Sequence, residues 1–133
     1  MSFSRRNLMQ LGAAMLTMPV AEALAAKQEV FDRKVFEAAQ AAGLPIIVHV
    51  TAPWCPTCKA QKPIVEKLEQ SPDYGKLVVF VVDFDSQTDA LRYFNAQSQS
   101  TLIAFNGKNE TARSVGDTDP QSIATLVKSA VSR

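Results

Sequence analysis

Residues 46 to 59 read Ile46-Ile47-Val48-His49-Val50-Thr51-Ala52-Pro53-Trp54-Cys55-Pro56-Thr57-Cys58-Lys59, an apolar run that leads into the only two cysteines of the chain. β-Branched residues without polar alternation mark a strand covered on both faces, so Leu44 to Thr51 is predicted to be a buried strand. The cysteines stand three residues apart, where that strand gives way to a helix. A pair so spaced closes almost no loop, whereas a stabilising disulfide gains most from closing a long one. The spacing therefore predicts a reactive dithiol and not a staple. At a helix start the first sulfur meets unpaired N–H groups, whose partial positive charge lowers a thiol's pKa. Such a pair exchanges electrons with other disulfides.

Outward from this stretch the elements alternate. A short strand is predicted at Glu29-Val30-Phe31. Asp32 then caps a helix with Val35, Phe36, Ala39 and Ala42 on one face and Gly43 as its stop. The helix after the cysteines turns Ala60, Ile64, Val65 and Leu68 inward and carries Pro63, which removes one N–H and should kink it. Ser71 to Gly75 reads as a loop, Leu77 to Val82 as a second buried strand, and Thr88 to Asn95 as a short helix bringing in Leu91, Tyr93 and Phe94. Thr101 to Phe105, the turn Asn106-Gly107 and Thr111 to Val115 form an antiparallel hairpin. Asp119-Pro120 starts a last helix with Ile123, Leu126, Val127, Ala130 and Val131 on its apolar face. The fold class is α/β: a central mixed sheet with helices on both faces, closed by a C-terminal hairpin and helix.

The chain of 133 residues opens Met1-Ser2-Phe3-Ser4-Arg5-Arg6-Asn7-Leu8-Met9 and continues through Leu, Met and Ala to Ala23-Leu24-Ala25. Residues 1–25 read as an export signal, with cleavage after Ala25. Gln10, Gly12 and Pro19 interrupt the apolar stretch, which argues against a membrane span, although an uncleaved anchor is an alternative. Ser4-Arg5-Arg6-x-Leu8-Met9 resembles a twin-arginine signal; the general secretory route is the other reading. Either route takes residues 26–133 to the periplasm as one domain. Without Arg5, Arg6 and Glu22, twelve basic residues balance twelve acidic ones. That neutrality excludes an electrostatic nucleic-acid binder.

Residues from about 29 to 132 resemble a thioredoxin-fold protein. The likeness is carried by the strand into Ala52-Pro53-Trp54-Cys55-Pro56-Thr57-Cys58-Lys59 and by Pro63 five residues past the second cysteine. Val79 to Asp85 matches the family's central strand ending in acids, Thr101 to Lys108 its hairpin, and Val115-Gly116 the glycine before its last helix. Two positions depart from the pattern. His49 stands six residues before Cys55, where the family carries a buried acid, and Ser100 stands where it carries a cis-proline. The resemblance implies Cys55 as nucleophile and Cys58 as resolving thiol, with protein disulfides as substrates and no cofactor beyond the redox-active disulfide. Substrate contacts are expected from Trp54, Pro56, Thr57, Gln99 and Ser100. Trp54 should cover the disulfide, and Cys55 should be the more exposed sulfur.

His49 has two readings, a silent hydrogen-bonded core histidine or a proton acceptor for Cys58; the second is the expectation carried forward. Ser100 likewise either marks a loop that simply differs, with a trans peptide, or brings its hydroxyl to the cysteines and opens space for a metal or an altered partner. Redox poise in this fold spans about −270 to about −120 mV, and Pro56-Thr57 does not fix it. Lack of an inserted helical domain favours a reductant over a general oxidant. With no nicotinamide or flavin motif in the chain, the electron donor is expected to be a membrane electron-transfer protein. The mature domain is expected to be a soluble monomer. The rival is a copper-binding or metallochaperone module using Cys55, Cys58 and His49; zinc would want a fourth ligand.

Overall fold

A computed structural model of the chain describes residues 28–132. The export signal expected over residues 1–25 lies outside them. The elements are β1 (Glu29–Val30), α1 (Arg33–Ala41), β2 (Pro45–Thr51), α2 (Pro56–Glu69), a 3₁₀ turn at Pro72–Tyr74, β3 (Val78–Asp83), α3 (Thr88–Tyr93), β4 (Thr101–Asn106), β5 (Asn109–Val115) and α4 (Pro120–Val131). They build one five-stranded sheet in the order β1-β3-β2-β4-β5. β1 and β2 run parallel to β3, while β4 runs antiparallel to β2 and β5. β2, the strand that delivers the cysteines, is the middle one; β3, matched above to the family's central strand, lies beside it.

Local chemistry places the helix ends. Asp32 is extended (φ −131°, ψ 129°) and its carboxylate accepts from the Val35 N–H at 3.0 Å, capping α1. Gly43 ends that helix in the left-handed region at φ +71°, where its N–H reaches the Gln40 carbonyl and the Leu44 N–H reaches Ala39. Asp119 caps α4 by accepting from the Gln121 N–H at 3.0 Å, with Pro120 in the first turn.

β2 splits the core by its alternation. Ile46, Val48 and Val50 join Phe31, Phe36, Phe80, Phe94 and Phe105 in the layer under α1 and α3. Ile47 joins Val65, Leu102, Ile123 and Val127 in the layer under α2 and α4. His49, in phase with Ile47, is directed to that second layer. Four sequence expectations shift, the first being Tyr93, which α3 leaves exposed instead of bringing inward. Ala60 is exposed and Gln61 is buried in its place; Ala42 is exposed at the end of α1. The hairpin turns at Gly107-Lys108, one residue later than expected, with β5 beginning at Asn109. Gly107 sits at φ +56°, and a Cβ there would come within 3.4 Å of the Gln40 carbonyl oxygen and the Gly43 Cα.

Candidate active site

Cys55 is the N-cap of α2, extended at φ −90° and ψ 110°, with Pro56 opening the helix. Its sulfur accepts from the Cys58 N–H at 3.1 Å. A helix start thus aims a backbone donor at the nucleophile candidate, as the spacing predicts. Burial by itself would raise the Cys55 thiol. Hydrogen bonds from the Cys58 and Ser100 side chains and from the Cys58 and Thr57 backbone outweigh it and hold the thiol below its ordinary value. Cys58 moves the other way: burial pushes it up, and the neighbouring Cys55 adds to the rise. The pair is thus split into an acidic and a reluctant thiol, the division that attack followed by resolution requires. Both cysteines are free and both are buried, Cys55 at 2% exposure and Cys58 at 3%. Those exposures do not separate the two; what distinguishes Cys55 is its hydrogen bonds.

Ser100 takes the place opposite the sulfurs. It is buried, stands at φ +63°, and follows a trans peptide. Its N–H donates to the Val50 carbonyl at 2.9 Å, so the residue is tied to the end of β2 just before the cysteines. Its hydroxyl oxygen lies 3.1 Å from the Cys55 sulfur and 3.1 Å from the Cys58 sulfur. One hydroxyl has one proton to donate and lone pairs to accept with. With Cys55 ionised, Ser100 donates to Cys55, and the one Cys58 S–H proton is shared between the Cys55 sulfur and the Ser100 oxygen. Cys58 also lies 3.8 Å from the Val50 carbonyl oxygen.

Behind the sulfurs is a polar group that the sequence reading did not assemble. Gln61 is fully buried, and its amide NH₂ donates to the Ser100 carbonyl at 3.1 Å and the Asp117 carbonyl at 2.8 Å. Its Oε1 lies 2.9 Å from His49 Nε2. Residues 58, 61 and 65 are the buried positions of α2 and share one helix face; that spacing from Cys58 was the available signal. His49 is 1% exposed, and burial lowers its pKa against the pull of the Gln61 hydrogen bond. Its Nε2 contact is with Gln61 and not with Cys58. The two are related instead through a pocket of about 730 Å³ that both line, together with Thr51, Ala52, Lys62 and Asp83.

The rim is shaped by Trp54, 56% exposed, whose Nε1–H donates to the Asp85 carboxylate at 2.9 Å. Its ring meets Phe84 edge-on at 6.3 Å. Phe84 is the partly buried side chain that packs on Ala52, Cys55 and Cys58. Pro56 is exposed, and Thr57 and Gln99 are half-buried. Among the described residues no group of three or more His, Cys, Asp and Glu side chains is placed to hold a metal ion. The copper alternative gains no support from this arrangement.

A family model described as Thioredoxin matches residues 22–129. The thioredoxin of Chlamydia trachomatis serovar D is 30% identical over 99 residues, spanning 74% of this chain and 94% of that protein. Thioredoxin 1 of Nostoc sp. is 31% identical over 90 residues, spanning 68% of this chain and 75% of that one. Among solved structures, Trxlp from Edwardsiella tarda EIB202 superposes with a TM-score of 0.74 at 39% identity, over 76% of this chain and 98% of that one. A Cys-x-x-Cys pair at the helix start, two thiols driven apart in acidity and a match over nearly the whole domain lead to one assignment: the chain belongs to the thioredoxin family and is a thiol-disulfide oxidoreductase.

Proposed function

We propose that this protein is a periplasmic reductant of protein disulfides, with Cys55 as nucleophile and Cys58 as resolving thiol. The observation that carries the reading is the Cys55 sulfur at the start of α2, held by the Cys58 N–H and the Ser100 hydroxyl, each at 3.1 Å. The Cys55 thiolate attacks one sulfur of a substrate disulfide; the S–S bond breaks, and the departing sulfur leaves as thiolate. Cys58 then loses its proton to His49 through water in the pocket they share, and its thiolate attacks the Cys55 sulfur. The Cys55–Cys58 disulfide forms and the second substrate thiolate departs. Two electrons have passed from the dithiol to the substrate. Trp54, Pro56, Thr57 and Gln99 form the docking rim, with Ser100 beneath it against the sulfurs.

The signal read over residues 1–25, with its Arg5-Arg6 pair, supports export by the twin-arginine route. Between β3 and β4 the chain inserts only the six residues of α3 as helix, which favours a reductant over a dedicated oxidant. The redox-active disulfide is the only prosthetic chemistry invoked. Its reduction back to the dithiol falls to a membrane electron-transfer protein, and the working unit is a monomer.

The test is turnover of an accessible protein disulfide with a dithiol as electron source, joined to the Cys55–Cys58 reduction potential. Wild type should turn over and titrate nearer the low end of the family range, about −270 mV, than the high end, about −120 mV. Cys55→Ser should abolish turnover and Cys58→Ser should trap mixed disulfides. Full activity in Cys55→Ser removes the mechanism, and a potential near the oxidant end reverses the direction.

A further inference from the structure

Gln61 is the only polar side chain of α2 among the fully buried ones, and every polar atom on it is used. Its NH₂ group faces two carbonyl oxygens, Ser100 and Asp117, and carbonyls only accept. The orientation of the amide is thereby fixed, and Oε1 is left facing His49. An amide oxygen cannot donate, so the proton of a neutral His49 resides on Nε2. The remaining ring nitrogen, Nδ1, carries the lone pair. The same amide holds the Ser100 carbonyl, which also accepts from the Gly116 N–H at 3.0 Å. Ser100 is thus tethered by its N–H to Val50 and by its carbonyl to Gln61 and Gly116, with its hydroxyl 3.1 Å from both sulfurs.

We infer that Gln61 is a positioning residue that couples the two halves of the site, fixing His49 as the Nε2–H tautomer with Nδ1 as the proton acceptor and anchoring the strained Ser100 whose hydroxyl bridges the cysteines. The inference rests on the proposed role of His49 in accepting the Cys58 proton. A buried glutamine that merely filled space would be replaceable by methionine, which has nearly its length and shape. One that positions cannot be, because the loss frees the imidazole to adopt either tautomer and releases one of the Ser100 tethers.

The experiment is ¹⁵N NMR of the His49 ring in the reduced full domain, with single-turnover kinetics of attack and resolution, in wild type, Gln61→Met and Gln61→Glu. Wild type should show the Nε2–H tautomer. Gln61→Met should show a mixture of tautomers and resolve the mixed disulfide roughly tenfold more slowly, the size of one lost buried hydrogen bond. Gln61→Glu keeps an acceptor for Nε2–H but adds a negative charge that favours imidazolium, so its resolution step should acquire a pH midpoint displaced upward. Cys58, Lys59 and Lys62 of α2, Glu29 of β1 and Asp83 of β3 line the same pocket, and Asp117 adjoins Gln61. These groups shape any pH profile, and the tautomer at a single neutral pH is therefore the primary readout. An Nδ1–H tautomer in wild type overturns the inference even if neither variant folds, and so does a folded Gln61→Met with wild-type tautomer and resolution rate. His49→Ala separates the two levels: an unaltered resolution rate there removes the proton-acceptor role itself, whatever the tautomer measured in wild type.

Discussion

The two faces of the sheet solve opposite problems. Under α1 and α3 the layer is aromatic and largely apolar, with Phe36 at its hub: its ring lies 5.6 Å from Phe80, 5.1 Å from Phe94 and 5.4 Å from Phe105, each edge to face. Under α2 and α4 the aliphatic packing gives out toward the C-terminal end of β2, where His49, Gln61 and Ser100 are buried and hydrogen-bonded to one another. The first layer gains stability from area removed from water. The second gives up some of that area for groups that bear on the cysteines, and their partners offset the cost of burial. Stability and chemistry are thus assigned to different sides of the same strands, with β2 contributing alternate residues to each.

The difference can be broken most forcefully from the aromatic side. Phe36→Ala should cost about 3–5 kcal/mol of stability in denaturant unfolding, yet leave the ultraviolet titration of the Cys55 thiolate where it is. A displaced thiolate titration would show that the two layers are not separable. Ser100→Ala does the reverse. It should leave the unfolding midpoint nearly unchanged while removing one donor to Cys55, so the thiol rises toward its ordinary value and attack at neutral pH slows by roughly tenfold. Alkylation rates against pH read this directly.

A subtler outcome concerns acid stability. Burial lowers His49 in the folded protein below its ordinary value of 6.5. Between the two values the unfolded chain binds a proton that the native protein does not, so stability falls as pH drops below 6.5, by at most about 1.4 kcal/mol per pH unit. His49→Leu should abolish this decline, while leaving the Gln61 Oε1 unpaired lowers its stability by a constant amount at every pH. A parallel decline in the variant would assign the acid sensitivity to other groups. The smallest effect is expected one residue before Gln61, where Ala60→Gln on the exposed side of α2 should shift stability by less than about 0.5 kcal/mol. A large loss there would mean that Ala60 is covered by something in solution.

Much of this molecule is determined by short-range chemistry. Asp32, Gly43 and Asp119-Pro120 mark helix ends because capping and left-handed backbone are settled within four residues. The unbroken β-branched run of β2 declares a doubly covered strand, and the Cys55–Cys58 spacing declares reactivity, each without reference to distant residues. What the sequence left open is the polar group around the cysteines. Apolar preference points Ala60 inward, but the face of α2 is set by Cys58 and Val65, and it is Gln61 that lands in the core. A buried amide is tolerable only if its partners are in place, and those partners lie 12, 39 and 56 residues away in the chain. The role of Ser100 is undetermined for the same reason. A hydroxyl 45 residues from Cys55 and 42 from Cys58 becomes a bridge between two sulfurs only once β4 has paired beside β2. Caps, strands and the reactive pair were local decisions, whereas the acidity of each thiol belongs to contacts that only the closed sheet creates.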